Sequence, residues 1–355
     1  MKIAVTADVH LTRRDDQPAR FNALANIFES LAVLEIDQLV IAGDLFNKDI
    51  QNYSEFETLC KEHPEVTVHI IPGNHDPSLE QKRFATDKIQ AYSKPTPVPF
   101  GETTFLFIPY QLGTSMGEAI ATEASSLEAG KWVLVGHGDY CRGIRQTDAD
   151  EPGTYMPLFR SDIDRFRPRT VLLGHIHIRS SKDNVYYPGS PCGLDISEVG
   201  PRHFLLYDTE TAEISPHRIQ TDVLFFKESF MIVPREDELD CLVTEIQRRI
   251  EAWGLEESEL KRVQLRVAAR GFCRNKQAIS NLLEESFGSF THYKNAPPDV
   301  GDLSASTHEE LVSIANRVEQ EIDELDWQVG LEDDKPDRDE IMNQALRVIY
   351  GDGSA

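Results

Sequence analysis

Seven side chains that can coordinate a divalent cation follow short apolar runs in the first half of the sequence. The apolar runs are KIAVTA, LVIA, VHIIP, WVLV and TVLL, and each is typical of a β-strand. The seven residues are Asp8, His10, Asp44, Asn74, His137, His175 and His177. Carboxylate, amide and imidazole ligands suit manganese, iron, magnesium or zinc. We therefore predict two divalent cations that share a carboxylate, held where strands end and loops begin.

An alternation of strands and helices must position these side chains. Up to about residue 220, the β-rich runs alternate with amphipathic patterns, for example at 20–34 and 53–61. This alternation predicts an α/β domain. Beyond residue 170 the pattern becomes strand-rich, which favours two packed sheets flanked by helices over a simple doubly wound sheet.

The remainder of the chain predicts a second module and a helical tail. Residues 223–233 and 262–271 read as strands, and 235–253 and 276–287 as helices, which together form a small α/β module. Paired prolines in the segment 295–302 end it. Amphipathic helices are predicted at 307–327 and 337–350, packed either on the domain or on a partner. We predict domains at 1–220, 221–300 and 301–355.

Composition limits the class of protein. The chain has 355 residues, of which 40% are hydrophobic and 27% charged, as in soluble globular proteins. It has no apolar run of about 18 residues, and its first candidate ligand is Asp8, so we expect neither a membrane span nor a leader. Five scattered cysteines favour the reducing cytoplasm. The net charge of −24 argues against autonomous DNA binding, but not against a nuclease held on DNA by a partner.

The order D-x-H, G-D, G-N-H-D, G-H and G-H-x-H over residues 1–220 resembles the calcineurin-like metallophosphoesterases. The resemblance implies that Asp8, His10 and His177 bind one ion, and that Asn74, His137 and His175 bind the other. Asp44 would bridge the two ions, which polarise the phosphate and lower the pKa of a coordinated water. His75 would be a catalytic proton donor or a phosphate contact. Asp76 would either orient the His75 ring or serve as a turn residue.

Three sequence segments make the resemblance more specific, because they point to one branch of this superfamily. ADVHL, AGDLFN and YYPGSPCGLD are similar to the SbcD branch of DNA double-strand-break repair nucleases. The resemblance implies a four-layer β-sandwich flanked by helices, a small α/β capping domain and C-terminal helices that bind an SbcC-type coiled-coil ATPase. It also implies two manganese ions, exonuclease and endonuclease activity on DNA, and homodimerisation, for which the helix at 20–34 is a candidate that is more simply core. Asn47 departs from the Asp or His usual at this position.

Basic residues near the motifs are candidates for contacts with DNA phosphates. They are Arg13, Arg14, Arg142, Arg145, Arg179 and Lys182. Each of them alone is more often a solvated surface residue, and Arg202 is a weaker candidate. Two other functions stay open: a stand-alone phosphatase or phosphodiesterase for small or protein-bound phosphates, and a non-catalytic scaffold. A scaffold would be free to lose ligands, whereas all seven are present.

Overall fold

The chain divides into two compact units. The first comprises Met1–Leu194 and Pro201–Val223, and the second Asp195–Gly200 and Leu224–Ala355. The structure is a computed structural model that describes residues 1–47, 52–141, 155–306, 309–325, 327 and 337–350. The boundaries predicted at 220 and 300 stay predictions of domain organisation.

The first unit alternates strands and helices along most of its length. Its elements are β1 (Lys2–Thr6), α1 (Pro18–Leu34), β2 (Gln38–Ala42), α2 (Tyr53–Glu62), β3 (Thr67–Ile71), β4 (Ile89–Ala91), β5 (Thr96–Phe100), β6 (Thr103–Phe107), α3 (Met116–Glu123), β7 (Trp132–His137), β8 (Tyr140–Cys141), β9 (Leu158–Phe159), α4 (Arg160–Phe166), β10 (Thr170–Gly174), β11 (Ser180–Lys182), β12 (Val185–Tyr187), β13 (His203–Asp208) and β14 (Ile214–Arg218).

These strands form two large sheets. Within the described residues, one sheet has the order β14-β13-β1-β2-β3-β4 and the other β11-β12-β10-β7-β6-β5. The pairs from β1 through β4 are parallel, and so are those joining β6, β7, β10 and β12. Antiparallel strands β14, β13, β5 and β11 complete the sheets.

Apolar side chains on both faces of each sheet produce a layered core. Residues such as Val5 and Val40 from one sheet pack with Phe105, Val133 and Leu172 from the other. The outer face of the first sheet packs against α1 and α2, and that of the second against α3 and α4. The predicted arrangement of two packed sheets flanked by helices is therefore confirmed.

The parallel strands deliver the candidate ligands to one place. In the paired registers, Ala42 lies opposite Ile71 at the ends of β2 and β3, and Gly174 lies opposite His137 at the ends of β10 and β7. The carboxyl ends of parallel strands meet at one edge of a sheet, where loops form ligand sites. The loops after β1, β2, β3, β7 and β10 therefore begin along matching edges.

The second unit is a smaller α/β assembly. Its elements are β15 (Leu224–Ile232), α5 (Glu238–Ala252), α6 (Glu257–Leu260), β16 (Val263–Cys273), α7 (Lys276–Phe287), β17 (Thr291–His292), β18 (Leu303–Ala305), α8 (Glu309–Asp323) and α9 (Arg338–Tyr350). Strands β15 and β16 pair in parallel over their length, and one face of this sheet packs with α5 and α7.

The two C-terminal helices pack on this unit. Ala315 of α8 and Met342 and Leu346 of α9 are buried in a cluster with Val233, and the ring of Tyr350 stacks on Phe272 at 4.7 Å. Of the two alternatives left open by the sequence, packing within the chain accounts for these buried side chains. No helix among the described residues is long and apolar enough to cross a membrane.

Candidate metal site

Four buried side chains of the predicted site stand on left-handed backbone. The φ angles are 55° at Asp8, 49° at His10, 51° at Asp44 and 102° at His175. Each lies in the loop that follows a parallel strand, and each is at most 9% exposed. Left-handed backbone costs a non-glycine residue about 1–3 kcal/mol. The surrounding fold therefore holds these four residues in conformations that each would populate only to a small extent on its own.

The glycine before Asp44 has a steric role. Gly43 has a φ of 92°, and a Cβ at this position would lie 2.1 Å from Nδ1 of His137. A side chain here would displace the imidazole, so only glycine lets the loop after β2 approach the end of β7.

Three of the predicted ligands form one cluster. Ligand atoms of Asp8, His10 and His177 all lie within 4.8 Å of one another. The Nε2 atoms of His10 and His177 are 3.2 Å apart. Arg20, in the first turns of α1, donates from Nη1 to the carbonyl oxygen of His10 at 2.7 Å. Sequence reasoning did not find Arg20, because nothing in its spacing links it to the motif.

Asp44 reaches this cluster and a second one. Its Oδ2 lies 3.7 Å from Nε2 of His10 and 3.4 Å from Nε2 of His137. Asn74 Oδ1 is 2.8 Å from the same nitrogen of His137. Asp44 thus stands between the two groups of side chains, as a shared carboxylate must.

The donor set around His137 fits a cation. His137 Nδ1 donates a hydrogen bond to the carbonyl oxygen of Ala42 at 2.9 Å, so Nε2 of the neutral ring carries a lone pair. That lone pair faces the oxygens of Asn74 and Asp44, which are also acceptors. Acceptors that converge in a buried site need a proton or a metal ion among them. We conclude that these residues fit a divalent cation.

The buried carboxylates and imidazoles of the site shift one another's pKa values. Burial lowers the pKa of His137, but the carboxylates of Asp44 and Asp8 outweigh it and raise the pKa to about 10. Burial raises the pKa of Asp44, but His137 and His10 outweigh it and hold the pKa below its ordinary value. Burial raises the pKa of Asp8 to about 6 against the opposing effect of His137 and His177. The carboxylates of the site therefore stabilise positive charge on the groups beside them.

His175 joins the site through both its backbone and its ring. Its peptide nitrogen donates to Oδ1 and Oδ2 of Asp8 at 2.9 and 3.0 Å. Its ring centroid lies 5.5 Å from that of His137, and its Nε2 lies 3.7 Å from Oδ1 of Asp139. Sequence reasoning missed Asp139, although its place two residues after His137 was a visible signal.

His75 lies close to His10 and Asp44, and possible ligand atoms of these three residues lie within 4.8 Å of one another. Its ring packs edge-on against His10 with centroids 4.5 Å apart, and Nδ1 lies 3.4 Å from Oδ1 of Asn47. The carboxylate of Asp76 instead accepts backbone N–H bonds from Gly73 and Phe46 at 2.7 and 3.0 Å. Of the two roles predicted for Asp76, these bonds support that of a turn residue: Asp76 joins the two loops, and Asn47 contacts the ring.

The basic residues predicted to contact DNA differ in how exposed their side chains are. Arg13, Arg14 and Arg179 are exposed, and Lys182 is half-buried. The Arg14 guanidinium lies over the ring of Phe21, 5.5 Å from its centroid. Arg142 and Arg145 lie outside the described residues. Arg202 is only 5% exposed, so it is not a surface contact for DNA.

The candidate ligands thus lie at the ends of parallel strands, or on the loops that follow them, in two packed sheets. The profile of the family described as calcineurin-like phosphoesterase matches residues 1–203. The chain belongs to this family and is a phosphoesterase. No curated protein matches the sequence significantly.

Similar solved structures are distant in sequence. A novel archaeal phosphodiesterase is 16% identical, covering 61% of this chain and 99% of its own, with a TM-score of 0.34. The purple acid phosphatase from seeds of yellow lupin (Lupinus luteus) is 13% identical over 61% of this chain and 52% of its own, with a TM-score of 0.39. The phosphoesterase Yfce from E. coli is 14% identical over 62% and 100%, with a TM-score of 0.32.

Proposed function

We propose that this phosphoesterase is a metal-dependent DNA phosphodiesterase with exonuclease and endonuclease activity. It would be the nuclease subunit of an SbcCD-like DNA end-processing complex, with two divalent ions, most favourably manganese. The convergence of the complete ligand set with His75 carries the proposal of diester hydrolysis. The YPGSP segment and the extension beyond residue 220 support the narrower nuclease assignment, because they carry the resemblance to SbcD-type proteins.

The side chains divide the work of the reaction. Asp8, His10 and His177 would hold one ion, Asn74, His137 and His175 the other, and Asp44 would be shared. Such ions supply Lewis-acid polarisation of the phosphate and a nucleophile at neutral pH. The backbone N–H of His75 donates to Oδ1 of Asp44 at 2.8 Å, so the loop that carries His75 also fixes the shared carboxylate.

His75 would transfer a proton to the leaving oxygen. Asn47 Oδ1 can accept only the Nδ1–H of the ring, so Nε2 would be the nitrogen that serves the substrate. A general acid at the leaving oxygen contributes about 10²–10⁴-fold to such reactions. Oligonucleotides have an unactivated leaving oxygen, which makes this contribution necessary.

Because the chain is acidic, the proposal includes a partner protein that holds the DNA. A net charge of −24 opposes retention of a polyanion, so we propose that an SbcC-type ATPase holds the DNA. Ile314 of α8 and Val348 of α9 are 50% and 83% exposed, and they support the C-terminal helices as the ATPase-binding segment.

The test is cleavage of end-labelled single-stranded and duplex DNA in manganese, by the full chain alone and with its ATPase. We expect shortened products that are absent with the H75A variant. Intact DNA in every wild-type reaction would overturn the nuclease proposal. A parallel assay on p-nitrophenyl phosphate and its bis ester separates the alternatives, since a clear preference for the monoester would indicate a phosphatase instead.

A further inference from the structure

The YPGSP segment lies against the loop that carries His177. Gly189 has a φ of 78°, and a Cβ there would lie 2.7 Å from the carbonyl oxygen of His177 and 2.8 Å from the nitrogen of Arg179. The next residue, Ser190, donates its backbone N–H to the same carbonyl oxygen at 3.0 Å. The glycine of this motif is therefore needed for the segment to approach a candidate metal ligand closely.

A buried arginine joins the two segments. Arg202 donates from Nη2 to the carbonyl oxygen of His177 and to Oγ of Ser190, the latter at 2.6 Å. Its Nε donates to the carbonyl oxygen of Ser190 at 2.9 Å. The side chain is 5% exposed, so these bonds are shielded from water. One guanidinium thus contacts three oxygens on two loops.

We propose that Arg202 is a positioning residue for the metal ligand His177. The His177 carbonyl accepts bonds from both Ser190 and Arg202, which fixes the backbone from which the imidazole reaches Asp8 and His10. The inference rests on the proposed two-metal site. Removal of a group that hydrogen-bonds to a metal ligand and orients it typically lowers the metal affinity about 10–100-fold.

The geometry also explains why arginine occupies this position. A planar guanidinium can donate in several fixed directions within one plane, whereas a lysine ammonium presents a compact charge on a flexible stem. Substitution by lysine would keep the positive charge but not the simultaneous contacts to Ser190 and His177. We therefore expect R202K to recover only part of the effect.

The experiment is calorimetric titration of the full, metal-free chain with manganese. For the wild type we expect two ions per chain. For R202M we expect one binding step to weaken about 10–100-fold while the other stays within about twofold. In an H177A background, R202M should cause no further loss, because the ligand that it positions is gone.

Arg169 provides a matched control in the same unit. Its guanidinium also donates to backbone carbonyls, those of Glu210 at 3.0 Å and Thr209 at 3.4 Å. R169M should leave both manganese affinities unchanged. If R202M does not fold, S190A removes one acceptor of Arg202, and we expect it to weaken the same step about 3–10-fold.

The outcomes separate the two proposals. A wild-type chain that binds no manganese would overturn the metal site and this inference together. Two tight steps in R202M, equal weakening of both steps, or an undiminished R202M effect in the H177A background would overturn the role of Arg202 alone.

Discussion

Hydrogen bonds from groups outside the candidate ligand set hold individual residues of the site in place, in addition to the contacts among those residues. Arg20 donates a hydrogen bond to the carbonyl oxygen of His10. The side-chain oxygen of Asn47 contacts Nδ1 of His75. The carbonyl oxygen of Ala42 accepts a hydrogen bond from Nδ1 of His137. The bonds at Nδ1 of His75 and His137 orient their rings, and the bond from Arg20 holds the backbone of His10. Such orientation restricts which nitrogen is free for metal or substrate.

Replacement of His75 by alanine tests the proton-donor role. We expect kcat on bis-p-nitrophenyl phosphate and on DNA to fall about 10²–10⁴-fold, with the greater loss on DNA because its leaving group is poorer. Manganese stoichiometry, measured by elemental analysis, should stay at two per chain. Loss of a metal ion in H75A would show instead that His75 is a ligand.

Asn47 should matter through His75. N47A removes the acceptor at Nδ1, and we expect kcat on DNA to fall about tenfold, as for one lost hydrogen bond. N47D keeps an acceptor there and should retain activity within a few-fold. Equal activity of N47A and wild type would show that the contact does not position the ring.

The residue types of the site could be predicted from the sequence, but some of their contacts could not. The seven candidate ligands could be named from the sequence because each follows an apolar run and has a suitable donor atom. The choice between Asn47 and Asp76 as the partner of the His75 ring could not, because both residues lie in loops. Which carboxylate or amide reaches the His75 ring depends on how the loops after β2 and β3 pack.

At the scale of elements, a buried histidine ties β3 to its neighbours. His69 bonds to the Tyr92 hydroxyl and to Gln38 Oε1, both at 2.8 Å, and burial lowers its pKa to about 4. Because the unfolded chain takes up this proton first, stability is present above about pH 6.5 and is lost as the pH falls toward 4. The loss is about 3 kcal/mol.

The H69Q variant tests this linkage. We expect its free energy of unfolding, measured by urea denaturation from pH 7 to 4, to fall less steeply than that of the wild type. Parallel curves for the two proteins would contradict the assignment.

Helix α9 offers a second test at this scale. Met342 is fully buried, whereas Val348 in the same helix is 83% exposed. M342A should destabilise the packing of α8 and α9 by about 2–5 kcal/mol, seen as faster amide hydrogen exchange in both helices. V348A is the control and should change stability by less than about 0.5 kcal/mol. Equal exchange rates in the two variants would contradict this packing.

Long periodic segments were predictable, and short ones were not. The helix at 276–287 has the predicted bounds, and the helix predicted at 307–327 is described as Glu309–Asp323, so it ends four residues before the predicted C-terminus; residues 307 and 308 lie outside the described residues. Strands such as β8, β9 and β17 have two residues each, too few for any periodicity. They form because neighbouring segments offer backbone partners.

Across the whole molecule, the proposed reaction brings together an acidic chain and a polyanionic substrate. The chain has a net charge of −24, and bound cations would supply local positive charge at the site. The carboxylates of Asp44 and Asp8 raise the pKa of His137, so they favour positive charge beside them. Removal of metal by a chelator should therefore abolish hydrolysis, and added manganese should restore it.

The most direct test is anomalous scattering from crystals grown with manganese. The proposed two-metal site predicts two peaks about 3.5–4 Å apart, one beside Asp8, His10 and His177, the other beside Asn74, His137 and His175, with Asp44 between them. A correctly folded protein whose seven side chains surround no peak, or a single peak that leaves out Asp44, would contradict it.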